Sequence, residues 1–263
     1  DLTCARYGYP ALLGLGRVEE AARMVEGALA AADVDGDDLQ RAEARVLWTR
    51  HVLWTGQLDA AAHSIQLSAD DWGVLGLPEP LPLVRQRRAL RLLRGQPVDP
   101  AGVPGPEPGR PGVDGEVPGL FHRAGPAELA FRLARAGATD RAGQLLDAVA
   151  ARIGREHFPL PDLALVAGAA ALTRRRAVAR ALHQPLAAAG DRLVVRGDGS
   201  VILGPAALWA AVAALGAGRK ADTARLTRSA VDAVERAGGS LRSLEVVAEL
   251  FGLPISNRPP THP

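Results

Sequence analysis

"LGRVEEAARMVEGAL", residues 15–29, recurs in altered form along the chain, and that recurrence decides the fold. Better copies are "TGQLDAAAHSIQL" at 55–67 and "AGATDRAGQLLDAV" at 136–149; looser ones are "RGQPVDPAG" at 94–102 and "AGRKADTARLTRSAV" at 217–231. In each, a helix ends in Gly, an acidic residue follows within four positions, and an Ala-rich helix begins. Gly16, Gly56 and Gly137 precede Glu19, Asp59 and Asp140 by three residues, and Ala21, Ala61 and Ala142 by five. Gly95 and Gly218 need one extra residue to reach Asp99 and Asp222, or Ala101 and Ala224. The glycines are 40, 39, 42 and 81 residues apart, and a degenerate copy near Thr173–Leu182 would fill the double gap.

The physics of the pattern is that of a helical hairpin. Gly takes the left-handed conformation that ends one helix. The acidic residue meets the positive end of the next helix's dipole. Ala at a fixed offset lets two helices approach closely. A unit of roughly 40 residues cannot bury its apolar stripe alone and stacks on its neighbours. The predicted fold is all-α: a tetratricopeptide-like right-handed solenoid of such hairpins. Helices are expected at 17–32, 38–55, 58–69, 82–95, 126–136, 140–154, 162–172, 174–189, 205–216, 219–237 and 240–251.

Two stretches interrupt the helices. Residues 96–119 hold seven prolines and six glycines and read as a disordered or polyproline-II insertion. It divides N-terminal repeats (1–95) from C-terminal repeats (120–255), ahead of a frayed tail at 256–263. The second stretch, "DRLVVRGDGSVILGPAALW" at 191–209, reads as an extended or hairpin segment near 193–203, with Asp198-Gly199 in the turn.

Composition agrees with helices. The 263 residues are 48% hydrophobic but only 4% aromatic, so the core is built from Ala, Leu and Val. Arg supplies nearly all the positive charge, Lys220 being the one lysine, and the net charge is only +2. That balance demands neither nucleic acid nor membrane. A single cysteine, Cys4, excludes an internal disulfide and a cysteine-based zinc site, and falls in an N-terminal stretch that reads as frayed. No apolar run is long enough to span a bilayer and no signal peptide is recognisable, so the expected compartment is the cytoplasm. A chain that starts at Asp1 reads as a piece of a longer protein.

The stretch from Thr173 through Ala237 resembles the helical-repeat region of large bacterial signal-transducing ATPases. These are the LuxR-type and cyclase-associated regulators that include relatives of the maltose-regulon activator. The resemblance rests on an order of features: Val194-Val195, Gly197-Asp198-Gly199, Leu203-Gly204-Pro205, Trp209, then Leu215 to Arg219. It covers the C-terminal third well and the first 95 residues loosely. The family's GxxxxGK[ST] nucleotide loop and its DNA-binding helix-turn-helix have no counterpart in the sequence. The resemblance implies a non-catalytic sensor or partner-binding arm of a transcription regulator. Its concave face would take a protein or small-molecule effector. A neighbouring ATPase domain, and not this chain, would hold ATP.

Candidate chemistry outside that resemblance is sparse. "RGDGSVILGP" could cradle a phosphate, but five residues separate Gly199 from Pro205 and no lysine is near, so a spacer is the simpler reading. The histidines at 51, 63, 122, 157, 183 and 262 never fall in a ligand-like spacing, and no GxSxG elbow is present. No catalytic, cofactor or metal residue is therefore expected. Trp48, Trp54, Trp72 and Trp209 read as core anchors. The candidate partner-binding residues are Arg85, Arg88 and Arg91 in "RQRRALRLLR", and Arg174, Arg175 and Arg176 in "TRRRAVAR". They support an alternative function, a stand-alone binder of nucleic acid or an acidic partner. Neither cluster has aromatics for base stacking, and local pairing with acidic residues explains them more simply.

Overall fold

The computed structural model describes residues 2–96, 125–153, 155–196 and 201–255. The proline-rich insertion (apart from Gln96), the Asp198-Gly199 turn and the tail lie outside the described residues. The fold is mostly helical, 75% helix with little strand. Among the described residues the first half forms α1 (Leu2–Gly14), α2 (Val18–Asp35), α3 (Asp38–Trp54), α4 (Leu58–Val74) and α5 (Leu81–Leu93). After the insertion come α6 (Pro126–Arg135), α7 (Thr139–Ala150), α8 (Leu160–Leu172) and α9 (Arg176–Ala189). A two-stranded antiparallel hairpin, β1 (Leu193–Val195) and β2 (Ile202–Pro205), leads into α10 (Ala206–Gly216), α11 (Lys220–Arg236) and α12 (Leu241–Phe251).

The corners between helices follow from glycine chemistry. Gly16, Gly56, Gly95, Gly137 and Gly218 hold φ between 70 and 80°. The next residue's N–H then donates to the carbonyl five positions back: Arg17 to Leu12, Gln57 to Val52 and Ala138 to Leu133, each at 2.9 Å. This closes the open end of the helix. The corner expected within Thr173–Leu182 is built the same way on Arg174 (φ 57°), with Arg175 N–H donating to Ala170 at 2.9 Å. Ala21, Ala61 and Ala142 are fully buried, as close helix approach requires. The looser copy differs from its expected register. Thr223, five residues after Gly218, takes the buried place, while Ala224 is only half-buried. Its hydroxyl satisfies itself on the Arg219 carbonyl at 3.0 Å, so a threonine fits where alanine stands elsewhere.

The N-terminus corrects the expectation of a frayed end. Pro10, Gly8 and Gly14 weaken any helical reading of residues 2–14, yet α1 forms. Leu2, Ala5, Tyr9 and Leu13 make a buried stripe that packs on α2 and α3, and tertiary burial overrides propensity. Cys4 stands exposed on this helix. At the other extreme α10 is buried on all sides, every residue from Ala206 to Ala214, and packs against α8, α9 and α11.

One hydrophobic core runs through residues on both sides of the insertion, from Leu2 and Trp54 to Leu244 and Leu253. A smaller one lies among α3, α4 and α5. Contacts far apart in sequence join the two sides. Ser240 N–H donates to the Trp54 carbonyl at 2.8 Å, and the Trp54 indole N–H to Ala237 at 3.3 Å. Arg242 Nε donates to the Leu93 carbonyl at 3.1 Å, α12 packs on α5, and α1 on β1. No described helix is long and apolar enough to cross a membrane.

Candidate functional site

The junction between the two sides holds a cavity of about 420 Å³, open to solvent on one side and of a size typical of small-molecule sites. α3 contributes Leu53 and Trp54, and α5 contributes Leu92 and Leu93. The opposite wall comes from Phe131 of α6, Leu165 of α8, Ile202 and Leu203 of β2, and Trp209 of α10. α12 closes it with Val246 and Val247. The hairpin is thus a wall element, and Trp54 and Trp209 are both core anchors and cavity lining. Trp209 is fixed twice: its indole N–H donates to Leu203 at 2.7 Å, and its ring meets Phe131 edge-on at 6.3 Å between centroids.

A charged residue interrupts this apolar wall. Arg50 belongs to the cavity wall but is 1% exposed, with its three guanidinium nitrogens sealed from the open space. Its guanidinium lies over the Tyr9 ring, 4.0 Å from the centroid, a cation–π contact. Burial pushes its pKa down to about 10, so at neutral pH it stays charged. Burial likewise raises the Tyr9 phenol, outweighing the pull of Arg50. Arg135 at the rim has its pKa lowered by desolvation. Arg242 is held by Glu245 at 3.1 Å and Glu249 at 3.2 Å; hydrogen bonding to Glu245 is the main reason its pKa is raised. Sequence reasoning missed Arg50, although a signal was there: it sits in the stripe Val46, Leu47, Leu53, Trp54, where helical spacing calls for an apolar residue.

The six predicted arginines fall elsewhere. Arg85 is turned inward, its side chain 10% exposed, and pairs with Glu128 at 2.8 Å. Glu128 also takes Arg196 at 2.6 Å, so one carboxylate joins α5, α6 and the end of β1. Desolvation and the neighbouring Arg196 lower the Arg85 pKa to about 10. Arg88 is half-buried and Arg91 exposed. On the same helix Arg87 pairs with Glu79, and Arg94 just beyond it with Asp59, both at 2.6 Å. Arg174, Arg175 and Arg176 stand exposed at the α8–α9 corner, where Arg175 reaches Asp147 at 3.2 Å.

Among the described residues no three His, Cys, Asp or Glu side chains gather as a metal site would require. His51 stacks on Trp48, and the buried His183 meets Arg219 at 3.3 Å. A larger cleft between α11 and α12, about 740 Å³, mixes Arg228, Asp232, Glu235 and Glu245 with Val231, Leu241, Leu253 and Ile255, so its walls are more polar than the cavity's. No family model matches the chain, and no significant match to a curated protein or to a solved structure was found.

Proposed function

We propose that the chain is a non-catalytic, effector-binding module of stacked helical hairpins, the sensing arm of a bacterial ATPase-type transcription regulator. Left-handed glycines at 16, 36, 56, 76 and 95, roughly twenty residues apart, support the tetratricopeptide-like stacking. The regulator assignment rests on the resemblance of Thr173–Ala237. A neighbouring ATPase domain is then the partner, and the cytoplasm the compartment.

The single observation that carries effector binding is the apolar cavity at the junction of the two helical sides. A ligand there touches α3 and α5 on one side and α6, α10 and α12 on the other. Its binding energy therefore favours the closed junction over any opened arrangement, and that difference is what a neighbouring domain could sense.

The test uses the neutral dye Nile red. The protein should bind it saturably, close to one per chain, with a blue-shifted emission. Ser243→Trp places a large ring at the cavity wall from the half-buried face of α12. It should weaken the dye at least tenfold while leaving the far-UV circular dichroism unchanged. Non-saturable binding, or binding indifferent to S243W, overturns the reading. The regulator context is checked separately by the native polypeptide in its own cell, which should be several times heavier than 263 residues allow.

A further inference from the structure

We infer that the groove at the α8–α9 corner docks an acidic segment of a partner protein, an apolar side chain on its floor and the flanking carboxylates on Arg174 and Arg176. This surface is separate from the effector cavity, with Leu250 the one residue common to both.

The fold treats the two arginine clusters of the sequence differently. Around the first, Arg85, Arg87 and Arg94 are paired with Glu128, Glu79 and Asp59. In the second, Arg175 reaches Asp147, while Arg174, Arg176 and Arg180 are exposed and meet no acidic partner among the described residues. Helix α9 offers them none, since it carries no Asp or Glu. Helices α2, α4, α7 and α11, which follow equivalent corners, open with Glu19, Asp59, Asp140 and Asp222 in the first turn.

Each of these arginines also stands against a local preference. Arg174 holds φ 57° where the equivalent corners place Gly. Arg176 opens α9 at the positive end of the helix dipole, which repels a cation. Arg180 adds a like charge one turn on, at i+4. Local rules broken together without a gain inside the fold are characteristic of functional surfaces.

Arg174 and Arg176 border a groove of about 340 Å³ floored by Leu172, Leu215, Leu250 and Phe251, and no Asp or Glu lines it. Leu250 is 37% exposed there. A cationic rim over an apolar floor complements a leucine-like side chain flanked by carboxylates, which arginine grips through paired N–H bonds. Nucleic acid fits less well. It needs positive charge along a track of phosphates, and these arginines gather at one corner of a chain whose net charge is +2. The Phe251 ring is engaged with Phe131 and Trp209 at 6.4 and 6.2 Å, leaving no free platform for a base.

The test is fluorescence anisotropy at low ionic strength with the labelled peptide EEELLEEE, against QQQLLQQQ, EEESSEEE and a single-stranded oligothymidylate. The full chain should bind EEELLEEE saturably, at least tenfold more tightly than QQQLLQQQ and at least threefold more tightly than EEESSEEE. Arg174→Gly with Arg176→Gln should weaken it at least tenfold while the melting temperature stays equal to or above wild type, because each change removes a local penalty. Arg23→Gln with Arg155→Gln, which removes the same charge from exposed positions on α2 and ahead of α8, should bind as wild type does. Absence of saturable EEELLEEE binding overturns the inference, as does equal binding of EEESSEEE, which would make the groove floor irrelevant. So does an R174G/R176Q protein that binds as wild type, or one that melts lower as it loses binding, which would make the arginines structural. An R23Q/R155Q protein that loses as much would reduce the effect to net charge and overturn it too. Oligothymidylate bound more tightly than the peptide, and lost in R174G/R176Q, would make the corner a nucleic-acid surface instead.

Discussion

Arg50 brings a full positive charge to a position that is 1% exposed, with its guanidinium over the Tyr9 ring. Desolvation holds its folded-state pKa near 10, below the ordinary arginine value. The folded protein therefore binds this proton less tightly than the unfolded chain does. Below about pH 10 both states are charged and the burial cost is present in full. Above that pH the folded state releases the proton first, and the cost fades. Arg50→Met should accordingly raise stability at pH 7 by about 2 kcal/mol, the order found when a buried charge is replaced by an apolar side chain. Its advantage over wild type should shrink from pH 9 to pH 11. Urea unfolding midpoints of the two proteins across that range read both effects. A destabilised R50M at pH 7 would show that the contact with Tyr9 outweighs the burial of the charge.

At the scale of the element, the corners are the unit that repeats. Five of them place Gly where the backbone turns left-handed, and each spares the side-chain clash that other residues meet there. The α8–α9 corner keeps the same hydrogen bond, Arg175 N–H to Ala170, but holds Arg174 at φ 57°. Arg174→Gly should relieve that strain and stabilise the protein by about 0.5–1 kcal/mol, net of the freedom Gly adds to the unfolded chain. A higher urea midpoint with unchanged slope is the expected result. The converse holds at Gly56, where an added Cβ would come 2.7 Å from the Ser240 side chain and press on the junction.

The whole molecule is held together across the insertion by polar contacts and one continuous core. Glu128 bridges the insertion, since it pairs with Arg85 from the first half and Arg196 from the second. Glu128→Gln removes the charge but keeps the shape, leaving both guanidiniums short of their shared carboxylate. The expected loss is about 2 kcal/mol, read as a lower thermal midpoint. The transition should stay single, because Trp54 of α3 and Leu244 of α12 belong to the same core. A variant that melts in two steps would show the halves to be independent.

Local order in this protein is written locally. The glycine corners, the acidic first turns and the Ala offsets mark where helices end and begin, because caps and dipoles act within a turn of the chain. An extended or hairpin segment near 193–203 was legible for the same reason, since β-branched runs flank a turn signal, and the fold makes it a hairpin that runs on to Pro205. α1 was not, since Pro10 and Gly8 argue against a helix that only burial of Tyr9 and Leu13 sustains. The cavity was not read from the sequence, and its one local mark was Arg50 in an apolar stripe. Its walls meet only when Trp54 finds Ser240, and Leu93 finds Arg242, across more than 140 residues of sequence. Helical spacing determines which face of each helix is apolar. Which faces meet, and whether a buried arginine finds a partner, is decided by tertiary packing, because no local interaction reaches that far.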